Sequence, residues 1–491
     1  MCRLVVLIGL ATGMALALPG TTEASSLNEI KKLVASDAEA ASYFGLRVAV
    51  SGDIAIVGGK REDHASLPDP AAAYVYQRDQ GGQDNWGELK KLTPSEPFPS
   101  ASLPSYLLGH AVAVDNDTAV IGAHRKALLA GRAFIVGRNQ GGADNWGEVK
   151  TLVASDSEPA DLFGFDVAVS SNNAVVGAWE EDAGGSGAGA AYVFERDLGG
   201  ASNWGEVKKL TASDAQPEDA FGKNVAISGD TAVVGATRFE AGTYPGAAYI
   251  FQRDQGGANN WGQVKKLTAS DAQSDDRFGV SVTVDGDTIV VGAFAEDEGG
   301  DAAGAAYVFR RNLGGVDNWG EVTKLIASDA HAWELFGGSV ALRAELAIVG
   351  ASPAKHTGAA YVFGRNQGGA DNWGEVTKLA SSDGQANDRF GASVAVSGNT
   401  AVVGAWLEDT GGVSAGAAYV FDLLLTKPTA TPVPTSSAVG GIALDPALRS
   451  LPLETSRSGR VPWGVPLAIA AAVALSSAAW YVRRRHSPHL R

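Results

Sequence analysis

The sequence predicts an all-β protein: a seven-bladed β-propeller of four-stranded blades closed by the N-terminal strand, followed by one C-terminal transmembrane helix. Glycine supplies 62 of the 491 residues and charged residues only 19%, which is typical of short strands joined by turns and unlike a coiled coil. Trp-Gly followed by Glu or Gln recurs about every 57 residues, a spacing that suits propeller blades. A second landmark, Phe-Gly or a variant, recurs seven times and sets the number of blades.

One repeat unit, residues 221–267, shows four strand signals. Its strands are predicted at 225–228, 231–234, 247–251 and 261–267. Gly229-Asp230 separates the first two, and this dipeptide is a strong hairpin signal. The first two strands are runs of Val, Ala and Ile, as expected when both faces of a sheet are covered. The fourth alternates better and carries lysines that could face water, so we expect it at the outer edge.

The two landmarks differ in number by one. The tryptophans are Trp86, Trp146, Trp204, Trp261, Trp319 and Trp373, and the other landmark begins at Phe44, Leu108, Phe163, Phe221, Phe278, Phe336 and Phe390. The last repeat ends at residues 419–421 without a Trp-Gly-Glu strand, whereas segment 27–33 has the pattern of the missing strand. We therefore expect the N-terminal strand to complete the last blade, which hides sheet edges that would promote aggregation.

Both ends of the chain read as segments outside the fold. Residues 1–24 have the basic start, apolar run and small-residue exit of a secretory signal. Residues 426–461 are rich in Pro, Thr and Ser and predict an extended tether. Residues 462–482 predict a transmembrane helix, and the basic tail 483–491 places the C-terminus in the cytoplasm and the propeller, residues 25–425, outside. A processed sorting tail would show the same pattern and stays an alternative.

The charge balance limits the partners. Nine of the 39 basic and three of the 55 acidic residues lie outside the middle segment, which leaves 30 basic against 52 acidic residues and a net charge of −22 there. An acidic exported domain is not expected to bind nucleic acid. The single cysteine, Cys2, lies in the predicted signal, so disulfides and a Cys-rich zinc site are excluded from the mature chain.

The repeat resembles the FG-GAP family, the blade unit of integrin α-chain propellers and of many bacterial surface proteins. The resemblance rests on pairs such as Phe163-Gly164 with Gly177-Ala178 and Phe278-Gly279 with Gly292-Ala293, and spans 27–421. It implies a closed propeller in which Phe fills the gap between blades and Gly allows close backbone approach. It also implies a calcium loop between the first two strands of a blade, but here short turns such as Asp285-Gly286-Asp287 supply too few oxygens for calcium. No cofactor is predicted with certainty, and calcium is kept open.

Acidic residues recur between the second and third strands of alternate blades. They are Glu62, Asp63, Glu181, Asp182, Glu296, Asp297, Glu408 and Asp409. Ser-Asp pairs recur between blades, with aspartates at Asp37, Asp156, Asp214, Asp271, Asp329 and Asp383. In an up-and-down blade these two sets of loops emerge on one face. We predict a negative face that binds a protein or glycan ligand or collects cations; the structural alternative is that these residues only shape turns.

Catalysis is not predicted, because chemistry needs residues that break the repeat and the sequence holds no nucleophile elbow, HExxH or phosphate-loop motif. His110 and His124 share the most divergent blade, which keeps a hydrolase or lyase with a channel metal as an alternative. A passive envelope or spacer protein is another. The leading prediction is a monomeric, noncatalytic recognition or adhesion propeller on the cell surface.

Overall fold

Seven four-stranded antiparallel sheets make up the computed structural model, which describes residues 29–59, 72–93, 107–124, 130–238 and 244–424. The first strand of the described chain is β1 (Glu29–Leu33). Blade 1 contains β2 (Arg47–Ser51), β3 (Ile54–Gly59), β4 (Ala72–Gln77) and β5 (Gly87–Leu92). Blade 2 contains β6 (Leu107–Asp115), β7 (Thr118–His124), β8 (Arg132–Gly137) and β9 (Gly147–Leu152). Blade 3 contains β10 (Val167–Ser170), β11 (Asn173–Ala178), β12 (Ala190–Glu195) and β13 (Gly205–Leu210).

The remaining blades repeat this order. Blade 4 contains β14 (Phe221–Ser228), β15 (Thr231–Ala236), β16 (Ala247–Gln252) and β17 (Gly262–Leu267). Blade 5 contains β18 (Phe278–Asp285), β19 (Thr288–Ala293), β20 (Ala305–Arg310) and β21 (Gly320–Leu325). Blade 6 contains β22 (Ser339–Arg343), β23 (Leu346–Ala351), β24 (Ala359–Gly364) and β25 (Gly374–Leu379). Blade 7 contains β26 (Phe390–Ser397), β27 (Thr400–Ala405) and β28 (Ala417–Asp422), with β1 as its fourth strand.

The N-terminal strand closes the ring, as the sequence predicts. β1 pairs antiparallel with β28, and Lys31 lies opposite Val420 while Leu33 lies opposite Ala418. Leu33 is buried in the same core cluster as Phe44 and Val420, so the closing strand also joins the packing between blades 7 and 1. All seven sheets are thus completed by residues 29–424, without the rest of the chain.

The order of the strands within a blade follows their burial. The first strands of neighbouring blades contact one another all around the ring, which places them innermost and makes them line the channel. All six residues of the second strands β15 and β19 are buried, because the sheets on either side cover both faces. The fourth strands are half-buried.

The lysines of the fourth strands do not simply face water. Lys265 Nζ of blade 4 donates to Asn318 Oδ1 of blade 5 at 3.0 Å, and this asparagine belongs to the Asp-Asn-Trp loop of the next blade. The same bond joins Lys31 to Asn85, Lys90 to Asn145, Lys150 to Asn203 and Lys208 to Asn260. The alternation in these strands therefore reflects contacts between blades as well as exposure.

The Phe-Gly landmark packs the junctions between blades. Phe278 is fully buried, and its ring meets those of Tyr307 and Phe309 of its own blade edge-on at centroid distances of 5.5 and 6.0 Å. Its core cluster also contains Val233 and Ile250 of blade 4, so this ring lies at the junction of the two blades. The matching glycine of the second strand allows two backbones to touch: a Cβ at Gly292 would lie 1.9 Å from the carbonyl oxygen of Gly337. The structural reading of this landmark is confirmed.

The chain divides into two units between Thr426 and Lys427. The predicted signal, tether, transmembrane helix and basic tail all lie outside the described residues. Within the described part of the chain, no helix is both long and apolar enough to span a bilayer.

Candidate functional site

The three described glutamates of the predicted acidic loops, Glu181, Glu296 and Glu408, are buried within their blades. In blade 5, Glu296 is 2% exposed, and its Oε1 lies 2.8 Å from Nζ of Lys324 on β21. Its second oxygen, Oε2, is buried with no hydrogen-bond partner. The corresponding ion pairs join Glu181 to Lys209 and Glu408 to Lys32. These carboxylates therefore serve to hold the loop against the fourth strand.

The aspartates that follow shape the same loops. Asp297 Oδ1 accepts the backbone N–H of Ala302 at 2.7 Å, five residues further on. Asp182 accepts from Gly187 and Asp409 from Ser414 in the same way. Glu62 and Asp63 lie outside the described residues. The ligand-binding role of the eight acidic residues stays a prediction, and the six described ones each also have a structural role.

The aspartates between blades tie each connection to the blade that it enters. Asp271 accepts hydrogen bonds from the hydroxyl of Tyr307 at 2.8 Å and from Lys324 Nζ at 2.7 Å. Burial alone would raise the pKa of Asp271, but the bonds from Lys324 and Tyr307 outweigh it and the pKa is lowered. The same Tyr-Asp-Lys arrangement recurs at Asp37, Asp156, Asp214, Asp329 and Asp383.

Both sets of loops emerge on one face, as predicted. Lys324 bonds at once to Asp271, in the connection between blades, and to Glu296, in the loop between strands two and three. Lys209 and Lys32 make the same double contact in blades 3 and 7. We call this side of the ring, formed by the loops between strands two and three and the connections between blades, the loop face.

One group of carboxylates on the loop face has the spacing of a metal site. Oxygens of Asp271, Glu296 and Glu298 lie within 4.8 Å of one another. The ammonium of Lys324 contacts all three, at 2.7, 2.8 and 2.7 Å. An ammonium has three N–H donors, so the lysine satisfies this carboxylate set and supplies the positive charge that a metal would otherwise bring. These residues do not fit a resident cation while Lys324 lies among them.

On the opposite face, the short turns between strands one and two bond to one another. Asp285 Oδ2 accepts the backbone N–H of Ala344 in the next blade at 2.6 Å, and Asp115 Oδ2 accepts that of Ser171 at 2.6 Å. Ser51, Ser170, Ser228 and Ser397 accept through their hydroxyls from the neighbouring turns. Because these oxygens already accept hydrogen bonds from neighbouring turns, the turns are poorly suited to calcium, in line with the small number of oxygens that the sequence places there.

Among the described residues, the two most exposed large apolar side chains of the loop face are Trp333 and Val413. Trp333, in the connection between blades 5 and 6, is 65% exposed, and Val413, in the loop of blade 7, is 73% exposed. The backbone N–H of Trp333 donates to the carbonyl of Asp301 at 2.7 Å, which fixes the base of the tryptophan against the acidic loop of blade 5. An exposed tryptophan held on a rigid loop is typical of a protein or glycan contact.

A second candidate site lies inside the ring, where residues break the repeat. The position after Phe-Gly, just before or at the start of the innermost strand, differs in every blade. It holds Leu46, His110, Phe165, Lys223, Val280, Gly338 and Ala392 in blades 1 to 7. We define the channel cluster as Arg47, His110, His124, Phe165, Asp166, Trp179 and Lys223.

Aromatic rings form one wall of the channel cluster. The rings of His110 and His124 lie 4.2 Å apart, and both pack on Phe165 of the next blade at 4.6 and 5.0 Å. His110 Nδ1 lies 3.0 Å from the carbonyl oxygen of Phe165. Phe165 in turn meets Trp179 at 5.7 Å. The sequence does not show whether the two histidines touch. In the structure they do, as members of an aromatic stack.

Charged side chains complete the channel cluster. Nζ of Lys223 lies 4.6 Å from the ring centre of Trp179 and 5.6 Å from that of Phe165. Asp166 Oδ2 accepts the backbone N–H of Val225 at 2.8 Å, across the junction of blades 3 and 4. Arg47 of blade 1 interacts electrostatically with Asp166 and with Lys223, although neither residue is in a neighbouring blade. The electrostatic influence of Arg47 therefore reaches across the ring to blades 3 and 4.

Two groups of the channel cluster, Asp166 and Lys223, have pKa values that are shifted toward neutral pH. Burial raises the pKa of Asp166 to about 6 despite the opposing effect of Arg47. The pKa of Lys223 is lowered to about 8, mainly by burial and in part by Arg277 and Arg47, while Glu180 acts in the opposite direction. Shifts of this kind concentrate at functional sites. Among the residues of the channel cluster, the sequence analysis identifies only the two histidines. The residue that follows each Phe-Gly varies from blade to blade, and this variation is the signal that could have identified Phe165 and Lys223.

The closed ring of seven four-stranded sheets defines a repeat-built β-propeller. The FG-GAP repeat model matches residues 27–76, 146–194, 204–251, 261–309, 319–363 and 373–421. The chain therefore belongs to the FG-GAP repeat family. The matches leave out residues 77–145, which contain most of blade 2 and both histidines of the channel cluster.

Comparison with curated proteins gives no match. Among solved structures, the chain is similar to the crystal structure of Sqt1 from Chaetomium thermophilum, with 14% sequence identity and a TM-score of 0.43. The similarity covers 78% of this chain and 89% of that one.

Proposed function

We propose that this protein is a noncatalytic recognition or adhesion module, exported and displayed on the cell surface with its propeller outside. Membership of the FG-GAP family and the closed ring support this class of function. The N-terminal signal pattern and the C-terminal apolar segment support export and anchoring. The observation that carries the proposal is Trp333, a 65% exposed tryptophan fixed to the acidic loop face.

The loop face offers a mixed contact surface. Trp333 supplies a large aromatic side chain, and Glu298, whose side chain is 62% exposed, supplies a carboxylate in the blade 5 loop to which Trp333 is bonded. Aromatic anchors surrounded by polar groups are the usual centre of a protein or glycan interface. Because the buried glutamates hold the loops in place, the exposed residues are presented on a rigid support. The expected partner is an extracellular protein or glycan.

Binding of the labelled propeller, residues 25–426, to arrays of glycans and extracellular-matrix proteins tests the proposal. We expect selective binding that Trp333→Ala reduces by about tenfold or more, as for a central aromatic anchor. Val316→Ala is the matched control, because Val316 is 88% exposed in the hairpin loop between strands three and four, on the opposite face. Unchanged melting temperatures would show that both variants are folded. Equal binding by Trp333→Ala and the parent would contradict a role for the loop face.

The enzymatic alternative remains a separate proposal. His110 and His124 adjoin each other in the channel, which is the observation that favours it. Titration with Zn²⁺ and with Mn²⁺, followed by calorimetry, tests it: tight binding lost in His124→Ala would support a channel metal and a hydrolase or lyase. If neither the metal nor the array experiment gives binding, a passive spacer becomes the better description.

A further inference from the structure

Blade 6 departs from blades 3, 5 and 7 in the loop between its second and third strands. This loop has 11 residues in blade 5, residues 294–304, but only 7 in blade 6, residues 352–358. The shorter loop contains no acidic residue. Blade 6 therefore lacks the buried glutamate that pairs with the lysine of the fourth strand, as Glu296 does with Lys324 in blade 5.

A cavity of about 270 Å³ lies beside this shorter loop. Its lining includes Asp329 and Lys378, which are the equivalents of the aspartate and lysine that form an ionic group with Glu296 in blade 5. The lining also includes Gly358. In blade 5 the equivalent Gly304 donates its backbone N–H to the carbonyl oxygen of Glu296 at 2.9 Å. The cavity is thus bounded by the residues that would contact the missing glutamate.

Lys378 has fewer carboxylate partners than its equivalents. Its Nζ lies 2.7 Å from Asp329 Oδ2, and its side chain is 44% exposed, whereas Lys324 contacts three carboxylates and is 14% exposed. An ammonium has three N–H donors, so one aspartate leaves donors for a further carboxylate, as in blades 3, 5 and 7. Within the described part of the chain, the N–H of Gly358 also has no acceptor equivalent to the carbonyl of Glu296.

The acidic groups of the cavity are already paired. Asp329 bonds to Lys378, and Glu334 Oε1 lies 2.8 Å from His356 Nδ1. Trp333 directly precedes Glu334, so the exposed tryptophan of the loop face belongs to the same connection as this lining residue. The negative charge of the whole propeller opposes an acidic partner mainly at low salt, because physiological salt screens charges that are more than about 8 Å apart.

We propose that this cavity binds a glutamate of an acidic segment in a partner protein, with its carboxylate on Lys378 and its carbonyl oxygen on the N–H of Gly358. The proposal rests on the loop-face recognition proposed above and gives it a class of partner, an acidic polypeptide. Glu296 makes the same two contacts inside blade 5, with Lys324 and with Gly304. An acidic saccharide has no peptide carbonyl next to its carboxylate and could reproduce only the first contact.

Saturation-transfer NMR of the propeller, residues 25–426, tests the site, because this method detects weak ligands. The probe is an acetylated and amidated peptide with the sequence of residues 407–412, which contains one glutamate. We expect the parent protein to saturate this peptide at physiological salt. Lys378→Met should lower its affinity by about ten- to a hundredfold, the range for loss of a charge-assisted hydrogen bond. A peptide with glutamine in place of its glutamate should lose affinity for the parent to a similar extent.

Lys355→Met is the matched control, because this lysine lies in the same loop but outside the lining of the cavity. It removes the same charge and should leave binding of the peptide unchanged. Equal affinities in Lys378→Met and Lys355→Met, equal binding of the two peptides, or no saturation by the parent would overturn the proposal. Saturation of glucuronate as strong as that of the peptide would overturn the assignment to a polypeptide.

A loop graft provides a second test. Replacement of residues 352–357 by the sequence of residues 294–303 gives blade 6 the acidic loop of blade 5. We expect the glutamate of the grafted loop to pair with Lys378 and to abolish binding of the peptide, while the melting temperature stays equal to that of the parent or rises. A folded graft that binds the peptide as tightly as the parent would place the peptide elsewhere and overturn the proposal.

The two proposals fail in different ways. Loss of array binding in Trp333→Ala, with no saturation of the peptide by the parent, would retain recognition by the loop face and reject the cavity in blade 6. Peptide binding that is sensitive to Lys378→Met, without an effect of Trp333→Ala on the arrays, would retain the cavity and reject the role of the tryptophan.

Discussion

Ser382 donates both its backbone N–H and its hydroxyl to the two carboxylate oxygens of Glu29, a residue 353 positions earlier in the chain. The same two bonds join Ser36 to Glu88, Ser155 to Glu206, Ser270 to Glu321 and Ser328 to Glu375. In those cases the acceptor is the glutamate of Trp-Gly-Glu. The N-terminal strand thus reproduces the contact between blades as well as the strand pairing.

Deletion of residues 25–33 should therefore open the ring. The deletion leaves β28 as an unpaired edge and removes Leu33 from the core between blades 7 and 1. We expect a lower melting temperature and concentration-dependent aggregation, measured by thermal unfolding and by size-exclusion chromatography with light scattering. A chain that starts at residue 25 and ends at residue 426 is the control and should stay monomeric. A monomeric, equally stable deletion variant would contradict closure by β1.

Lys324→Ala should destabilise the protein and create a response to calcium. Removal of the ammonium leaves Asp271, Glu296 and Glu298 facing one another, and loss of one partner from a buried ion pair costs about 3–5 kcal/mol. We expect millimolar CaCl₂ to raise the melting temperature of the variant and EDTA to reverse the effect.

Lys266→Ala is the matched control for calcium, because among the described residues Lys266 pairs with a single carboxylate, that of Asp214. It should lose stability without responding to CaCl₂. An equal rise in melting temperature in the parent protein would show that the parent chain already binds calcium, against the argument that the lysine takes the place of a cation.

Asp276→Asn should change how stability depends on pH. Asp276 is 3% exposed, and burial, together with Glu296, raises its pKa to about 6. The unfolded group has a pKa of about 3.9, so its contribution to stability is complete below pH 4 and is lost as the pH rises to about 6. The asparagine variant escapes this loss. We expect it to gain about 2 kcal/mol relative to the parent between pH 4 and pH 7.5.

Urea unfolding at both pH values measures this difference. Asp301→Asn, at an exposed carboxyl of the adjacent loop, controls for the loss of a charge as such. The same gain in Asp301→Asn, or a constant difference between Asp276→Asn and the parent at the two pH values, would contradict the assignment.

Two glycines of blade 5 should differ sharply in their tolerance of alanine. At Gly292 a Cβ would lie 1.9 Å from the carbonyl oxygen of Gly337, so the blades would have to separate, and we expect a loss above about 4 kcal/mol. At Gly286 nothing lies within 4 Å, and only the φ of +59° opposes a side chain, which costs about 1–2 kcal/mol. Chemical denaturation of Gly292→Ala and Gly286→Ala measures the contrast, and similar losses would contradict it.

The fold could be predicted from the sequence because each blade repeats the same local signals. Strand predictions at 225–228, 231–234, 247–251 and 261–267 fall on β14 to β17, with differences of a few residues at the ends. The closing strand could be predicted because segment 27–33 copies a pattern that is otherwise complete. Both depend on short-range patterns that recur, which is where sequence reasoning is strong.

The sites could be predicted only in part. The sequence places Glu296 on the loop face, but it does not show that Lys324 reaches it, because that contact depends on the packing of a loop over the fourth strand. The channel cluster is harder still. Arg47, Asp166 and Lys223 come from blades 1, 3 and 4, and they influence one another electrostatically because the ring is closed, which no local pattern encodes.

The electrostatic interactions across the channel depend on the number of repeats. Arg47 interacts with residues two and three blades away, and these separations are set by the diameter of a ring of seven sheets. Gain or loss of a single repeat by gene duplication or deletion would leave the individual sheets intact. It would, however, change every distance between residues on opposite sides of the channel. A change in the number of repeats during evolution would therefore change the width of the channel. Substitution of residues in the loops of the loop face would leave the channel unchanged.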